Sequence, residues 1–255
     1  MTAAARSATA RRYGPHHQPP LVAAAIALLS RGAGHETSRY VTLLAADAGG
    51  RPWSSRDGRA MQRAATFDCP RPMVAATADR RQLVMLVPVP PGARVPDVRA
   101  VAGEVLRWLA VTGHDPVVAG AGVVHADGVV AAVEEASLVL RVVCALAYPS
   151  GAYQLDDVLF ETALARSPDI TERLAALIEP MMASEAPLLE TLTSFLDSGA
   201  DRRRTARRLY IHPNTLIYRL RRIQELTGLS PNVPKDILTL RAAMVAWRLS
   251  SAASA

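Results

Sequence analysis

Residues Asp201 to Gly228 read DRRRTARRLYIHPNTLIYRLRRIQELTG, and within 201–222 eight arginines stand against Asp201 alone, a local charge of +7. The whole chain carries a formal +6, so everything outside that stretch sums to about −1. Arginine displaces counterions from a phosphate backbone, and charge gathered on one short element therefore points to a polyanionic partner. The residues between the arginines fit the same partner. Asn214 can pair two ways with an adenine edge, Arg221 or Arg222 can reach guanine or phosphate, and Thr215 and Tyr218 can donate to phosphate. Arg219 flanks that face, and His212 stands where a second helix begins, at an N-terminus that favours an anion. Arg202, Arg203 and Arg204 are expected to precede the first helix and to touch phosphates, which gives affinity without sequence preference.

These side chains need a pair of helices to hold them. Pro213 has its φ already near the helical value and no N–H to lose, so it opens the second helix at His212 or Pro213. At 100° per residue, Leu216, Leu220, Ile223 and Thr227 share one side, leaving Asn214, Tyr218, Arg221, Arg222 and Glu225 opposite. Gly228 can take positive φ, and Leu229 can fold back towards Ile223 in a Schellman ending. In a helix-turn-helix the start of the second helix meets base edges in the major groove. Tyr210 stands in the turn, where glycine is the residue freest at positive φ. The plainer alternative is a helical hairpin with a solvated arginine face, Arg221 paired with Glu225 at i, i+4.

Length and composition frame this element. The 255 residues are half hydrophobic, enough for two ordinary domains. Lys235 is the one lysine beside 28 arginines, so arginine count alone says little. Cys69 and Cys144 are the only cysteines and lie far apart, which indicates neither a zinc site nor a disulfide framework and fits a cytoplasmic location. The apolar run Leu21 to Leu29 is shorter than the about 20 residues a membrane helix needs, and Pro15, Pro19 and Pro20 ahead of it and the lack of a cleavage site after it argue against an export signal.

The chain is expected to begin with a disordered leader over 1–20, followed by an α/β domain over 21–147. Its elements are a helix Leu21–Ser30, a strand Arg39–Ala46, a helix Asp57–Thr66, strands Pro72–Ala78 and Gln82–Val87 around a turn at Asp79–Arg81, and a proline-rich loop Pro88–Pro96. A helix Asp97–Val111, a strand Pro116–Val124 and a helix Gly128–Ala147 complete a mixed sheet with helices. A boundary is placed near Tyr148, before a helical linker over 148–186 and an all-α helix-turn-helix domain over 187–250.

The segment LLETLTSFLDSGADRRRTARRLYIHPNTLIYRLRRIQELTGL, Leu188 to Leu229, with its HPNTLxYRLxRI core at His212 to Ile223, closely resembles the C-terminal helix-turn-helix of the PucR/CdaR family of bacterial transcription regulators, itself similar to the Fis-type DNA-binding fold. YQLDDVLFETAL, Tyr153 to Leu164, resembles the segment that leads into it. More faintly, residues 38–147 resemble the degenerate GGDEF-like domain of such regulators, in SRYVTLLAA, RRQLVMLVPVP and VVAGAGVVHADGVVAAVEEASLVL. The resemblance implies a sensing or dimerisation domain ahead of a DNA reader, double-stranded DNA as partner, a homodimer and an unidentified small-molecule effector. The turn at Asp79–Arg81 lacks the paired carboxylates of an active cyclase. Many such regulators carry a further N-terminal sensory domain, and only the disordered leader is expected at that place here.

Other constellations are weaker. Gly120-Ala121-Gly122 starts like a dinucleotide fingerprint, but His125 occupies the third glycine position, so a tight strand-to-helix bend is the expectation. His35 and Glu36 lack a second histidine at metalloprotease spacing. Glu134 and Glu135 point about 100° apart on a helix and read as a solvated edge. No catalytic set, metal site or cofactor is expected, and the reading is of a DNA-binding regulator and not an enzyme. The rival readings are a nucleotide- or metabolite-binding signalling module whose helical part only anchors a partner, and a basic helix that contacts an acidic protein.

Overall fold

RYVTLLAAD is a nearly unbroken apolar run, the signature of a strand covered on both faces. In the computed structural model, which describes residues 19–31, 39–63, 72–90, 92–94, 96–184 and 186–253, this run is strand β1 (Arg39–Asp47), buried almost throughout. It is the centre of a five-stranded sheet. Strands β2 (Met73–Ala76), β3 (Gln82–Val89), β4 (Pro116–His125) and β5 (Gly151–Tyr153) take the order β2-β3-β1-β4-β5. All neighbours are antiparallel except β4 and β5.

Because side chains alternate across a strand, β1 serves two cores. Val41, Leu43 and Ala45 join Leu83, Met85, Val87 and Val118 under helix α3 (Val98–Ala110), which presents Val101, Ala102, Val105 and Leu109. The helix begins at Asp97, whose side chain accepts from the Arg99 N–H at 3.0 Å. Helices α1 (Pro19–Arg31) and α4 (Val129–Ala145) pack against each other and against the sheet. A short helix α2 (Ser55–Arg63) follows β1.

Local chemistry explains where the elements depart from expectation. Pro88 lies inside β3, opposite Tyr40, and not in a loop. It stands beyond Leu86, the last residue β2 pairs, where β3 has no second neighbour among the described residues and a proline at a strand edge is tolerated. Gly120-Ala121-Gly122 is likewise no strand-to-helix bend. It lies within β4 at a bulge, where the register with β1 jumps from Val41 opposite Val123 to Leu43 opposite Gly120. A Cβ on Gly120 would stand 2.9 Å from Val98 Cγ1 and 3.1 Å from Leu43 Cδ2, so glycine lets α3 approach the sheet. The turn at Asp79–Arg81 forms as expected, with Arg80 at φ 57° and Asp79 Oδ1 accepting from the Thr77 hydroxyl and the Arg81 N–H.

At one end of the sheet His114 is buried between two carboxylates, Asp47 Oδ1 at 3.0 Å from Nδ1 and Asp57 Oδ2 at 3.2 Å from Nε2. Trp53 stacks on the ring with centroids 4.0 Å apart. Arg51 Nε lies 3.3 Å from Nδ1 and 3.2 Å from Nε2, and being near both it sits over the ring and not in its plane. The cluster ties β1, α2 and the start of β4 together.

The chain divides into two units at Leu159/Phe160, further along than the boundary expected near Tyr148. The reason is that β5 completes the open edge of β4, and the 3₁₀ turn Leu155–Val158 packs on α4. Arg99 on α3 also grips Asp157 at 2.8 and 2.9 Å. Helix α5 (Leu159–Ala165) crosses into the second unit, which contains α6 (Pro168–Ala176), α7 (Glu179–Met182), α8 (Leu188–Asp197), α9 (Arg202–Arg208), α10 (Pro213–Thr227) and α11 (Pro234–Ala253). Helix α6 packs along α11, and Ile178 and Met181 enter the core of Leu188, Leu192, Phe195, Leu216, Leu220, Ile223 and Leu240. Much of the expected linker over 148–186 is therefore packed structure in one unit or the other.

Residues 1–18 of the expected leader, His35 and Glu36, Cys69 and the Thr66 end of the expected helix lie outside the described residues, while Pro19 and Pro20 open α1. Cys144 is an exposed free thiol. Glu134 and Glu135 are half-buried on α4. Among the described residues no helix is long and apolar enough to cross a membrane.

Candidate nucleic-acid interface

Asp201 caps α9: its Oδ1 accepts from the Arg204 N–H at 3.0 Å, and the Thr205 hydroxyl closes back onto the Asp201 carbonyl at 2.6 Å. The backbone hydrogen bond from Arg204, followed by that from Arg203 and the nearby guanidinium charges, holds the Asp201 carboxyl below its ordinary range. The cap corrects one expectation. Arg202, Arg203 and Arg204 do not precede the first helix; they form its first turn, exposed, with Arg202 reaching Asn232. Three cations at a helix N-terminus oppose the helix dipole, so their placement is not explained by helix stability.

The turn that follows is a Schellman motif. The Tyr210 N–H bonds the Arg207 carbonyl at 3.2 Å and the Ile211 N–H bonds the Ala206 carbonyl at 3.1 Å. That motif needs a left-handed residue, and Tyr210 supplies it at φ 53°. The tyrosine is 96% exposed, so no packing offsets the strain. The chain therefore keeps the ordinary turn shape and places a strained tyrosine in it. Ala206 is buried beneath the turn, and Ile211 packs against the same core.

Helix α10 begins with His212 as its cap, Nδ1 accepting from the Asn214 N–H at 3.2 Å, and with Pro213 in its first turn. Leu216, Leu220 and Ile223 are buried, as the helical spacing requires. At the far end Gly228, φ 71°, bonds the Gln224 carbonyl through its N–H at 2.9 Å. That single bond is the simpler left-handed cap and not the expected Schellman ending. Leu229 still packs against the core.

The exposed face of α10 brings most of the expected residues together. Asn214, Thr215 and Tyr218 are exposed and their side chains make no hydrogen bond among the described residues; Tyr218 is 63% exposed. Arg221 Nε lies 3.0 Å from Glu225 Oε1, and Arg222 Nη1 lies 3.0 Å from Glu225 Oε2. These two bonds, that from Arg222 first, hold the Glu225 carboxyl below its ordinary range. Arg219 is different: it turns inward and donates to the buried Thr191 hydroxyl on α8 at 3.2 Å. It braces α10 against α8.

Ile217 was not among the expected contacts, yet it is half exposed on the stripe Asn214, Ile217, Tyr218, Arg221, spaced i, i+3, i+4, i+7. The spacing alone could have found it. A second arginine group lies on α9, where Arg208 reaches Asp197 at 3.5 Å and Arg203 and Arg204 are exposed.

Residues 188–246 match the PucR C-terminal helix-turn-helix domain. A purine catabolism regulatory protein of Bacillus subtilis is 40% identical over 78 residues, which cover 31% of this chain and 14% of that protein. Uncharacterized proteins of Mycobacterium tuberculosis (39% over 74 residues, 29% of this chain and 18% of that one) and Haemophilus influenzae (44% over 64 residues, 25% and 17%) match similarly. The matched part of this chain thus spans less than a fifth of these curated relatives. A crystal structure of a regulator of polyketide synthase expression from Bifidobacterium adolescentis aligns over 88% of this chain and 86% of its own, at 19% identity and a TM-score of 0.37. Capped, turned and packed as described, residues 188–246 form a helix-turn-helix domain of the PucR C-terminal type.

Proposed function

We infer that the protein is a sequence-specific DNA-binding transcription regulator, with α10 entering the major groove. The observation that carries this reading is the exposed stripe Asn214, Ile217, Tyr218 and Arg221, held on a helix whose opposite side is locked into the core. Adenine pairing by Asn214, phosphate donation by Thr215 and Tyr218, and phosphate attraction by Arg203 and Arg204 divide reading from positioning. Arg202 and His212 border the face, His212 chiefly as the cap and Arg219 as the brace. The family match and the name of the Bacillus subtilis relative support regulation of transcription as the role.

The α/β unit is read as the degenerate GGDEF-like partner domain, serving dimerisation or effector sensing without catalysis. A two-sided mixed sheet is consistent with it. One helix-turn-helix gains affinity by pairing, since dimers reach half-sites about 34 Å apart on one DNA face. We accordingly assign a homodimer in the cytoplasm. Gel-shift titration of the full chain against duplexes selected from random DNA tests the reading: Arg221→Glu with Arg222→Glu abolishes binding, and unchanged affinity overturns it.

A further inference from the structure

The exposed face of α10 carries one acidic residue whose position is not explained by attraction to phosphate. Glu225 lies among the arginines, and its two oxygens divide between Arg221 and Arg222 at 3.0 Å each. An exposed ion pair on a helix is screened by solvent and adds little stability, and a carboxylate near DNA repels phosphate, so fold stability is a poor reason for it.

The atoms used are informative. Arg221 is bound to Glu225 through Nε, neither Nη atom has a partner among the described residues, and its side chain is 79% exposed. The Nη1–Nη2 edge of a guanidinium is the two-donor fork that matches guanine O6 and N7. Arg221 also stands three and four residues beyond Tyr218 and Ile217 on the stripe that starts at Asn214. Arg222 is bound through Nη1 and is less exposed, at 45%, which leaves it the poorer fork.

On this basis, and resting on the DNA-reading role above, the geometry points to Glu225 as a specificity-determining residue: it holds Arg221 so that its free edge reads a guanine, and it screens Arg221 and Arg222 from indiscriminate phosphate contact. Glu225 is a positioning residue and acts through Arg221. A guanidinium fixed at Nε loses less freedom on meeting a base, whereas an unfixed one follows whichever phosphate is nearest. Guanine discrimination is expected to fall while affinity for unmatched DNA rises, whereas simple charge removal strengthens matched and unmatched binding alike.

The test begins with duplexes selected from random-sequence DNA by the wild-type full chain. Arg221→Lys, which lacks the fork, identifies the base pair where guanine preference is lost. At that pair wild type favours guanine over adenine by about tenfold or more, as a two-donor contact provides. Glu225→Gln is expected to lower this ratio at least about fivefold while binding unmatched duplex about fivefold more tightly at low salt. Glu225→Asp keeps the charge but falls short of Arg221; it is expected to lose the guanine ratio and to bind unmatched duplex nearly as wild type does. Circular dichroism of each variant confirms an intact helical signal. A guanine ratio unchanged in both Glu225 variants overturns the role of Glu225, as does an Arg221→Lys variant that relaxes no position. If wild type enriches no sequence at all, the DNA-reading role itself falls and this inference with it.

Discussion

Asp47 Oδ1 and His114 Nδ1 meet at 3.0 Å although 67 residues separate them, and the same oxygen accepts the Asp115 N–H at 2.9 Å. The other oxygen accepts the Arg51 N–H at 2.9 Å. One buried carboxylate therefore ties the end of β1 to the start of β4. Burial alone pushes the Asp47 carboxyl up, but the backbone hydrogen bonds from Arg51 and Asp115 and the contact with His114 outweigh it, and the net shift is downward. Asp57, held by Ser54 and His114 against the same burial effect, is lowered too.

A group with a depressed folded pKa contributes stability above its unfolded value and loses it as pH falls through the folded value. Stability of the α/β unit is thus expected to decline below about pH 4, where an unfolded aspartate takes up its proton. Asp47→Asn leaves an amide N–H facing another donor and costs about 1 to 3 kcal/mol at neutral pH, with a shallower acid decline. Urea titrations at pH 7 and pH 3.5 measure both effects; an equal pH dependence in wild type and variant contradicts the assignment.

Tyr210 holds a left-handed conformation without burying its side chain. An L-residue there costs about 1 to 2 kcal/mol, partly offset in a glycine by the entropy it loses on folding. Tyr210→Gly is expected to stabilise the helix-turn-helix unit by about 0.5 to 1 kcal/mol, read as a rise of a few degrees in thermal unfolding. A destabilised variant would mean that the tyrosine makes a contact which outweighs its backbone strain.

Asn214 and the α9 arginines should separate in their effects. Asn214→Ala is expected to cost about 1 to 3 kcal/mol on a selected duplex and little on an unrelated one. Arg203→Ala with Arg204→Ala should weaken both alike and flatten the dependence of affinity on salt by about two phosphate contacts. Arg219→Ala, acting through its bond to Thr191, should lower stability without changing the salt slope. Fluorescence titrations across a salt series distinguish the three patterns.

Gly120→Ala should destabilise the α/β unit by about 1 to 3 kcal/mol, because the new methyl stands 2.9 Å from Val98 Cγ1 where α3 crosses the sheet. The companion Gly122→Ala, with no heavy atom within 4 Å of its new Cβ, should be nearly neutral. Chemical denaturation of the two variants gives the comparison.

The sequence by itself determined what depends on near neighbours along the chain. The period of Leu216, Leu220 and Ile223, Pro213 at a helix start and Gly228 at its end set α10, because spacing and φ preference act within a few residues. The apolar run of β1 and the stripe on α3 were legible for the same reason. The exposed stripe of α10, Ile217 included, follows from the same spacing.

Tertiary structure decided what depends on distant partners. His114 meets Asp47 and Asp57 only after β1 and β4 pair, and no local spacing announces that cluster. Arg219 reads as one more cation on the wheel until α8 brings Thr191 to it. The boundary moved to Leu159/Phe160 because three residues, Gly151–Tyr153, find the open edge of β4, a pairing visible only in the sheet. Helix ends and faces are set by local torsion and periodicity; partners are set by chain closure, which brings together residues the sequence keeps far apart.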